Sequence, residues 1–105
     1  MPSNKIACGK TDPGGTAWQQ NLAAGGKVVI YVDIDTSAAE FSSTPVYVTS
    51  LEAPTSHFAT VGASSVYAAS PTGFRIHIKF VDGSELTPEL ANHYQWTVNW
   101  IGMET

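Results

Sequence analysis

Between Ser65 and Gly83 the chain alternates in a way that only an extended ribbon with one buried side satisfies. From Phe74 onward, Phe74, Ile76, Ile78 and Phe80 fall on one side and Arg75, His77, Lys79 and Val81 on the other. A side-chain period of two is the pleat of a strand with one face in a core. Ser65 to Ala68, centred on Val66 and Tyr67, is a shorter β-forming run. Between the two runs, Ser70-Pro71-Thr72-Gly73 is turn chemistry, with Pro71 presetting φ and Gly73 free to take a positive one. Asp82-Gly83 ends the second strand. A hairpin is predicted here, and the rest of the chain must cover its apolar side.

Other segments carry the same pattern. Lys27 to Asp35 places Val28, Ile30, Val32 and Ile34 on one face and Val29, Tyr31, Asp33 and Asp35 on the other. Both faces begin apolar, which predicts cover on two sides near the start of the strand. Asp33 and Asp35 are expected to be a solvated strand end, since nothing nearby completes an oxygen-rich cation loop. Thr44 to Leu51 is predicted as a strand opened by Pro45, as sheet edges permit. Short strands are expected around Lys5-Ile6-Ala7, within an edge segment from Pro2, and over His57 to Val61. The last strand is predicted over His93 to Met103, with Tyr94, Trp96, Val98 and Trp100 on one face. Ala17 to Ala24 suits one helical turn stopped by Gly25-Gly26, with Trp18 plugging a core edge. Gly9 to Gly15 and Thr36 to Ser43 read as loops, and Ser84 to Asn92 as a polar excursion with a helical turn from Pro88. About six strands and no amphipathic helix predict an all-β antiparallel sandwich or barrel in one domain spanning 1–105. Phe74, Phe80, Tyr94, Trp96 and Trp100 are the expected core aromatics.

Composition narrows the function. Only 13% of residues are charged and the formal net charge is -4, so the chain lacks the basic stripe that a nucleic-acid partner requires. No apolar run is long enough to span a bilayer, and Met1-Pro2-Ser3-Asn4 lacks a signal-type apolar region. No membrane insertion is expected, and the protein is read as cytoplasmic, or secreted without a visible signal peptide. Cys8 is the single cysteine, which excludes an intrachain disulfide, and it is expected to be a small buried hydrophobe. Gly9-Lys10-Thr11 is not a phosphate loop, because Asn4 stands where the leading glycine belongs. No cofactor is implied. Asp82 with Glu85 and Asp33 with Asp35 are the close carboxylate pairs, and neither has a nucleophile, base and orienting partner around it.

Several stretches in the same order resemble the H-type lectins, the family of the snail agglutinins and the C-terminal domains of slime-mould discoidins. They are Lys5-Ile6-Ala7-Cys8-Gly9, Pro45-Val46-Tyr47-Val48-Thr49-Ser50-Leu51, Val66 through Phe74, and Tyr94 with Asn99-Trp100-Ile101-Gly102-Met103-Glu104. The resemblance implies a six-stranded antiparallel β-sandwich, non-catalytic and with no obligatory metal. It also implies a homotrimer, sometimes doubled to a hexamer, binding galactose or N-acetylgalactosamine in shallow sites between subunits. The family's second cysteine falls at Ile78, so its disulfide is absent. The family's arginine falls at Val61, its Trp-His pair near Val81-Asp82, and its Gly-Arg-Asp loop has no counterpart. Its tyrosine is kept as Tyr94.

From the residues present, a sugar site would draw on Tyr94 for stacking, Asp82 for accepting hydroxyl hydrogen bonds, His93 as a donor, and Gly25 and Gly26 for backbone N–H groups. Each also has a structural role to fill: Tyr94 in the core, Asp82 and the glycines in turns, and His93, like His57, on the surface. Arg75, His77 and Lys79 share a strand face that would meet its symmetry mates in a trimer. The expectation is a multivalent glycan-binding protein. The alternative is an assembly module that keeps the sandwich and has lost or changed sugar binding.

Overall fold

The computed structural model describes residues 5–24 and 26–105, so the proposed contact at Gly25 and the first residues of the expected edge segment lie outside it. Among the described residues, eight strands form two antiparallel sheets, joined by 3₁₀ turns and one short helix. The chain is therefore all-β. The strands are β1 (Ile6–Lys10), β2 (Gln19–Gln20), β3 (Val29–Asp35), β4 (Val46–Glu52), β5 (Thr60–Val61), β6 (Tyr67–Ser70), β7 (Gly73–Phe80) and β8 (Thr97–Met103), with helix α1 (Pro88–His93) before the last. The first sheet runs β1-β8-β4. The second runs β2-β3-β7-β5, with β6 also paired to β7.

The hairpin forms where the alternation placed it, on a tighter turn than expected. Ser70 pairs with Gly73, leaving only Pro71 and Thr72 in the loop. Gly73 itself lies in β7, where an added Cβ would sit 2.5 Å from the Ile34 carbonyl oxygen, so close strand approach is what requires glycine there. Phe74, Ile76 and Ile78 are buried as predicted, and β7 lies at the centre of the second sheet with β3 fully paired beside it.

The two sheets face each other across Ile30, Val32, Ile34, Phe74, Ile76 and Ile78 from the second and Tyr47 and Val98 from the first, with Trp96 fully enclosed just before β8. Burying side chains of this size contributes about 1.5–3 kcal/mol each. Of the expected core aromatics, Phe74 and Trp96 are buried, while Phe80, Tyr94 and Trp100 are only partly covered. Their place is taken by Trp18, Phe41 and Tyr47. Tyr47 ties the sheets together: its ring is 4.5 Å from that of Phe74, its hydroxyl donates to the Ser70 carbonyl at 2.7 Å, and the Thr36 hydroxyl lies 2.7 Å away.

Several local expectations are corrected. The terminal strand starts at Thr97 rather than His93, because Thr87 caps a helix instead. Its hydroxyl accepts the Leu90 N–H at 3.2 Å and Pro88 occupies the first helical turn, where its missing N–H costs nothing. The excursion before it is not wholly polar, since Leu86 and Ala91 are completely buried. His57–Ala59 is a 3₁₀ turn, so only Thr60 and Val61 pair as strand. His57 is half-buried, with Nδ1 enclosed and unpartnered. Gly9 and Lys10 belong to β1 rather than to a loop. Cys8 is exposed, not buried, because the register of β1 on β8 turns it outward beside Ile101.

The outer face of the first sheet is the unusual surface. Ile6, Met103 and Val46 form one row across its three strands and Cys8, Ile101 and Val48 the next. Val48 is 58% exposed and Ile6 equally so. A polar row of Lys10, Asn99 and Ser50 follows. There the Glu52 carboxylate accepts from Lys10 and Asn99, both at 3.0 Å.

Candidate functional site

On the outer face of the second sheet the odd-numbered positions of β3 and β7 meet. Antiparallel register sets Tyr31 against His77 and Asp33 against Arg75, and side chains opposed in this way are within contact reach. Arg75 donates through Nε to Asp33 Oδ1 at 2.6 Å and through Nη2 to Oδ2 at 2.9 Å. The guanidinium carbon lies 4.2 Å from the centre of the Tyr31 ring, which adds cation–π attraction to the bidentate pair. The N–H groups of Arg75 hold the Asp33 carboxyl below the ordinary aspartate range, against a smaller opposing effect of burial, with the charges of Arg75 and His77 helping.

His77 sits between two tyrosines. Its ring centre is 5.6 Å from that of Tyr31, tilted by 45°, and 5.1 Å from that of Tyr67, edge to face. Tyr67 reaches this position through a bulge. From Tyr67 to Ser70 the chain takes three steps while β7 takes two from Arg75 to Gly73, and Ala68 absorbs the difference at φ 54°. Bulges re-aim side chains in this way. The result is a shallow platform of two phenol rings, an imidazole and an Arg–Asp pair, exposed at Asp33 and Tyr67 and half-buried at Tyr31, Arg75 and His77.

Beside the platform, around the free edge of the second sheet, lies a cleft of about 250 Å³ lined by Asp33, Asp35, Asp12, Lys10, Thr16 and Trp100. Strand β2 covers β3 only opposite Tyr31 and Ile30, so beyond that point this edge of β3 has no strand beside it. Trp100 enters the cleft because Gly9 makes room: a Cβ on Gly9 would come within 2.5–2.8 Å of its indole. Asp35 accepts the Ser37 N–H at 2.9 Å, and the Ser37 hydroxyl foremost, with that N–H second, holds its carboxyl below the usual range.

The residues singled out from the sequence are placed elsewhere. Asp82 is exposed in the turn after β7 and accepts the Ser84 N–H at 2.9 Å; the Ser84 hydroxyl first and this N–H second lower its proton affinity. Gly26, at φ 78°, donates to the Leu22 carbonyl in an i→i−4 bond at the end of the 3₁₀ turn Leu22–Ala24. Tyr94 ends α1 and stacks on Trp96 with ring centres 5.8 Å apart, and the exposed His93 ring is 5.4 Å from Tyr94. His93 and Tyr94 therefore adjoin. Among the described residues no hydrogen bond or aromatic contact joins them to Asp82 or Gly26. The platform was visible in the sequence only as two unconnected halves, Tyr31 with Asp33 and Arg75 with His77. Their shared parity on two strands was the signal, and the register that joins them was not readable.

Among the described residues no three His, Cys, Asp or Glu side chains gather closely enough to hold a metal ion, and no helix is long and apolar enough to cross a membrane. No family model, characterised protein or solved structure matches the chain.

Proposed function

We propose that the protein is a non-catalytic glycan-binding module that works as a multivalent assembly of copies of itself, with galactose or N-acetylgalactosamine as the ligand type implied by its resemblance to H-type lectins. The observation that carries this is the surface platform of Tyr31, Tyr67, His77 and the Arg75–Asp33 pair, half-buried at Tyr31, His77 and Arg75 and exposed at Tyr67 and Asp33. A pyranose ring has an apolar C–H face that suits a phenol ring, and hydroxyls that suit a neutralised carboxylate–guanidinium pair offering acceptors and donors together. Asp33 uses two of its roughly four lone-pair directions on Arg75, leaving others for a ligand.

Asp33 and Asp35 are both held in the ionised form, the opposite of the raised carboxyl that glycoside cleavage needs as its acid. That supports binding without catalysis. The architecture supports the six-stranded form: setting aside the two-residue strands β2 and β5 leaves three strands in each sheet. A monosaccharide of about a dozen heavy atoms, at about 0.3 kcal/mol per atom, gives about 4 kcal/mol, or millimolar affinity. Such a site needs repetition on one body. The apolar outer face of the first sheet is suited to that role and lies on the side of the molecule away from the platform. His93 and Tyr94 are further candidate contacts for a ligand shared between copies.

The test is a glycan array paired with a solution mass measurement. Binding to galactose-type glycans by a trimer or hexamer is expected. Silence across the array by an assembled protein would replace this proposal with the second one, an assembly module without sugar binding, which the same apolar face favours.

A further inference from the structure

We propose that the cleft beside Trp100 is a second saccharide subsite continuous with the platform, so that the ligand is an oligosaccharide of at least two rings. This rests on the glycan-binding proposal above and specifies its ligand. Three observations carry it. The indole of Trp100, a large apolar side chain, is only partly buried and lines the cleft. It lies there because position 9 has no side chain to obstruct it. An indole held at the side of the sandwich, lining a cleft with three carboxylates and a lysine, is a second aromatic and charged cluster beside the platform.

The far wall supplies backbone groups. The Asn21 N–H donates to the Val29 carbonyl, so odd-numbered residues of β3 turn their main-chain groups toward the β2 side. Beyond Tyr31 that side has no strand. The N–H and C=O groups of Asp33 and Asp35 therefore look toward the cleft, where hydroxyls can pair with them. Finally, the two places share a residue. Asp33 belongs to the platform through Arg75 and to the cleft as part of its lining. Tyr31, Asp33 and Asp35 follow one another along one strand face at about 7 Å per two residues, a spacing suited to successive rings of one chain. The cleft volume of about 250 Å³ suits one ring.

The experiment uses the whole chain. Galactose, glucose and mannose, each as mono-, di- and trisaccharide, are titrated by calorimetry and by tryptophan fluorescence. The disaccharide of the preferred sugar should bind at least tenfold more tightly than its monosaccharide and should change the fluorescence further. Gly9→Ala, which pushes Trp100 out of place, should bring the di-to-monosaccharide affinity ratio down to about one. Asp35→Asn, which leaves strand packing alone, should lower the same ratio and covers the case in which Gly9→Ala fails to fold. Equal affinity for all lengths, with Tyr31→Ala still weakening binding, overturns the subsite and leaves glycan binding standing. Tetramethylammonium outcompeting the disaccharide in the fluorescence assay would make the cleft a cation site and overturn it too. Silence with all nine sugars overturns both proposals.

Discussion

The two sheets share one core and turn opposite chemistries outward. On the first, Ile6, Val46, Val48, Ile101 and Met103 keep water against two apolar rows, with polar groups only at one end. On the second, the corresponding positions are Tyr31, Asp33, Arg75 and His77, each answered by a neighbour on the same face. A strand that buries one side has no need of valine and isoleucine on the other. Where they persist across three adjacent strands, a covering partner is the economical explanation. Aromatic and charged groups satisfied among themselves instead suit a surface that meets small polar ligands. One face is apolar and the other polar and aromatic, which is the division of labour that the proposed function uses.

That contrast can be broken experimentally. The largest effect is expected from Ile101→Lys or Val48→Lys on the first sheet. Light scattering should show the assembly falling to single chains, and binding to a glycan-coated surface should drop by roughly 10² to 10⁴ as linked sites are lost. Retention of both would detach the apolar face from assembly. Next comes Trp96→Ala, in the core that both faces share. Chemical unfolding should show a loss of about 3–5 kcal/mol, and assembly and binding should fail together. Separate failure would mean that the sheets are less coupled than their packing implies. Tyr31→Ala should act on the second face alone, with roughly tenfold weaker glycan binding, from about 1.5 kcal/mol of ring contact at most, and an unchanged mass in solution.

The smallest effect concerns pH. Asp33 has a lower proton affinity folded than unfolded, chiefly because Arg75 donates to it. The contribution of the pair is therefore complete above the unfolded value near pH 4 and is lost as pH falls through the lower folded value. The Arg75 Nε–H resonance should hold its position from pH 8 to 5 and shift only below about pH 4. Asp33→Asn should abolish that pattern without altering assembly. A shift already present at neutral pH would place Arg75 away from Asp33.

The sequence made the strands legible and hid what lies between them. Phe74 through Phe80 could be read from parity alone, because one face of β7 is buried along almost its whole length. His93 through Trp96 had the same alternation and is not strand, since Thr87-Pro88 starts a helix whose end consumes those residues. Cys8 is exposed rather than buried because burial of a single residue in β1 depends on its register against β8, which no local pattern carries. The platform was hidden for the same reason. Tyr31 and His77 become neighbours only when β3 and β7 pair at one particular offset, and Tyr67 joins them only through an irregularity at Ala68.

That irregularity sets a conflict for anyone who engineers the molecule. A left-handed alanine costs about 1 kcal/mol that glycine would largely avoid, so Ala68→Gly is the obvious route to a tougher protein. The same exchange frees the backbone that aims a phenol ring at an imidazole, and the sturdier variant should grip its ligand less well. On the proposed function, stability and recognition are thus traded at one residue that lies outside the platform itself.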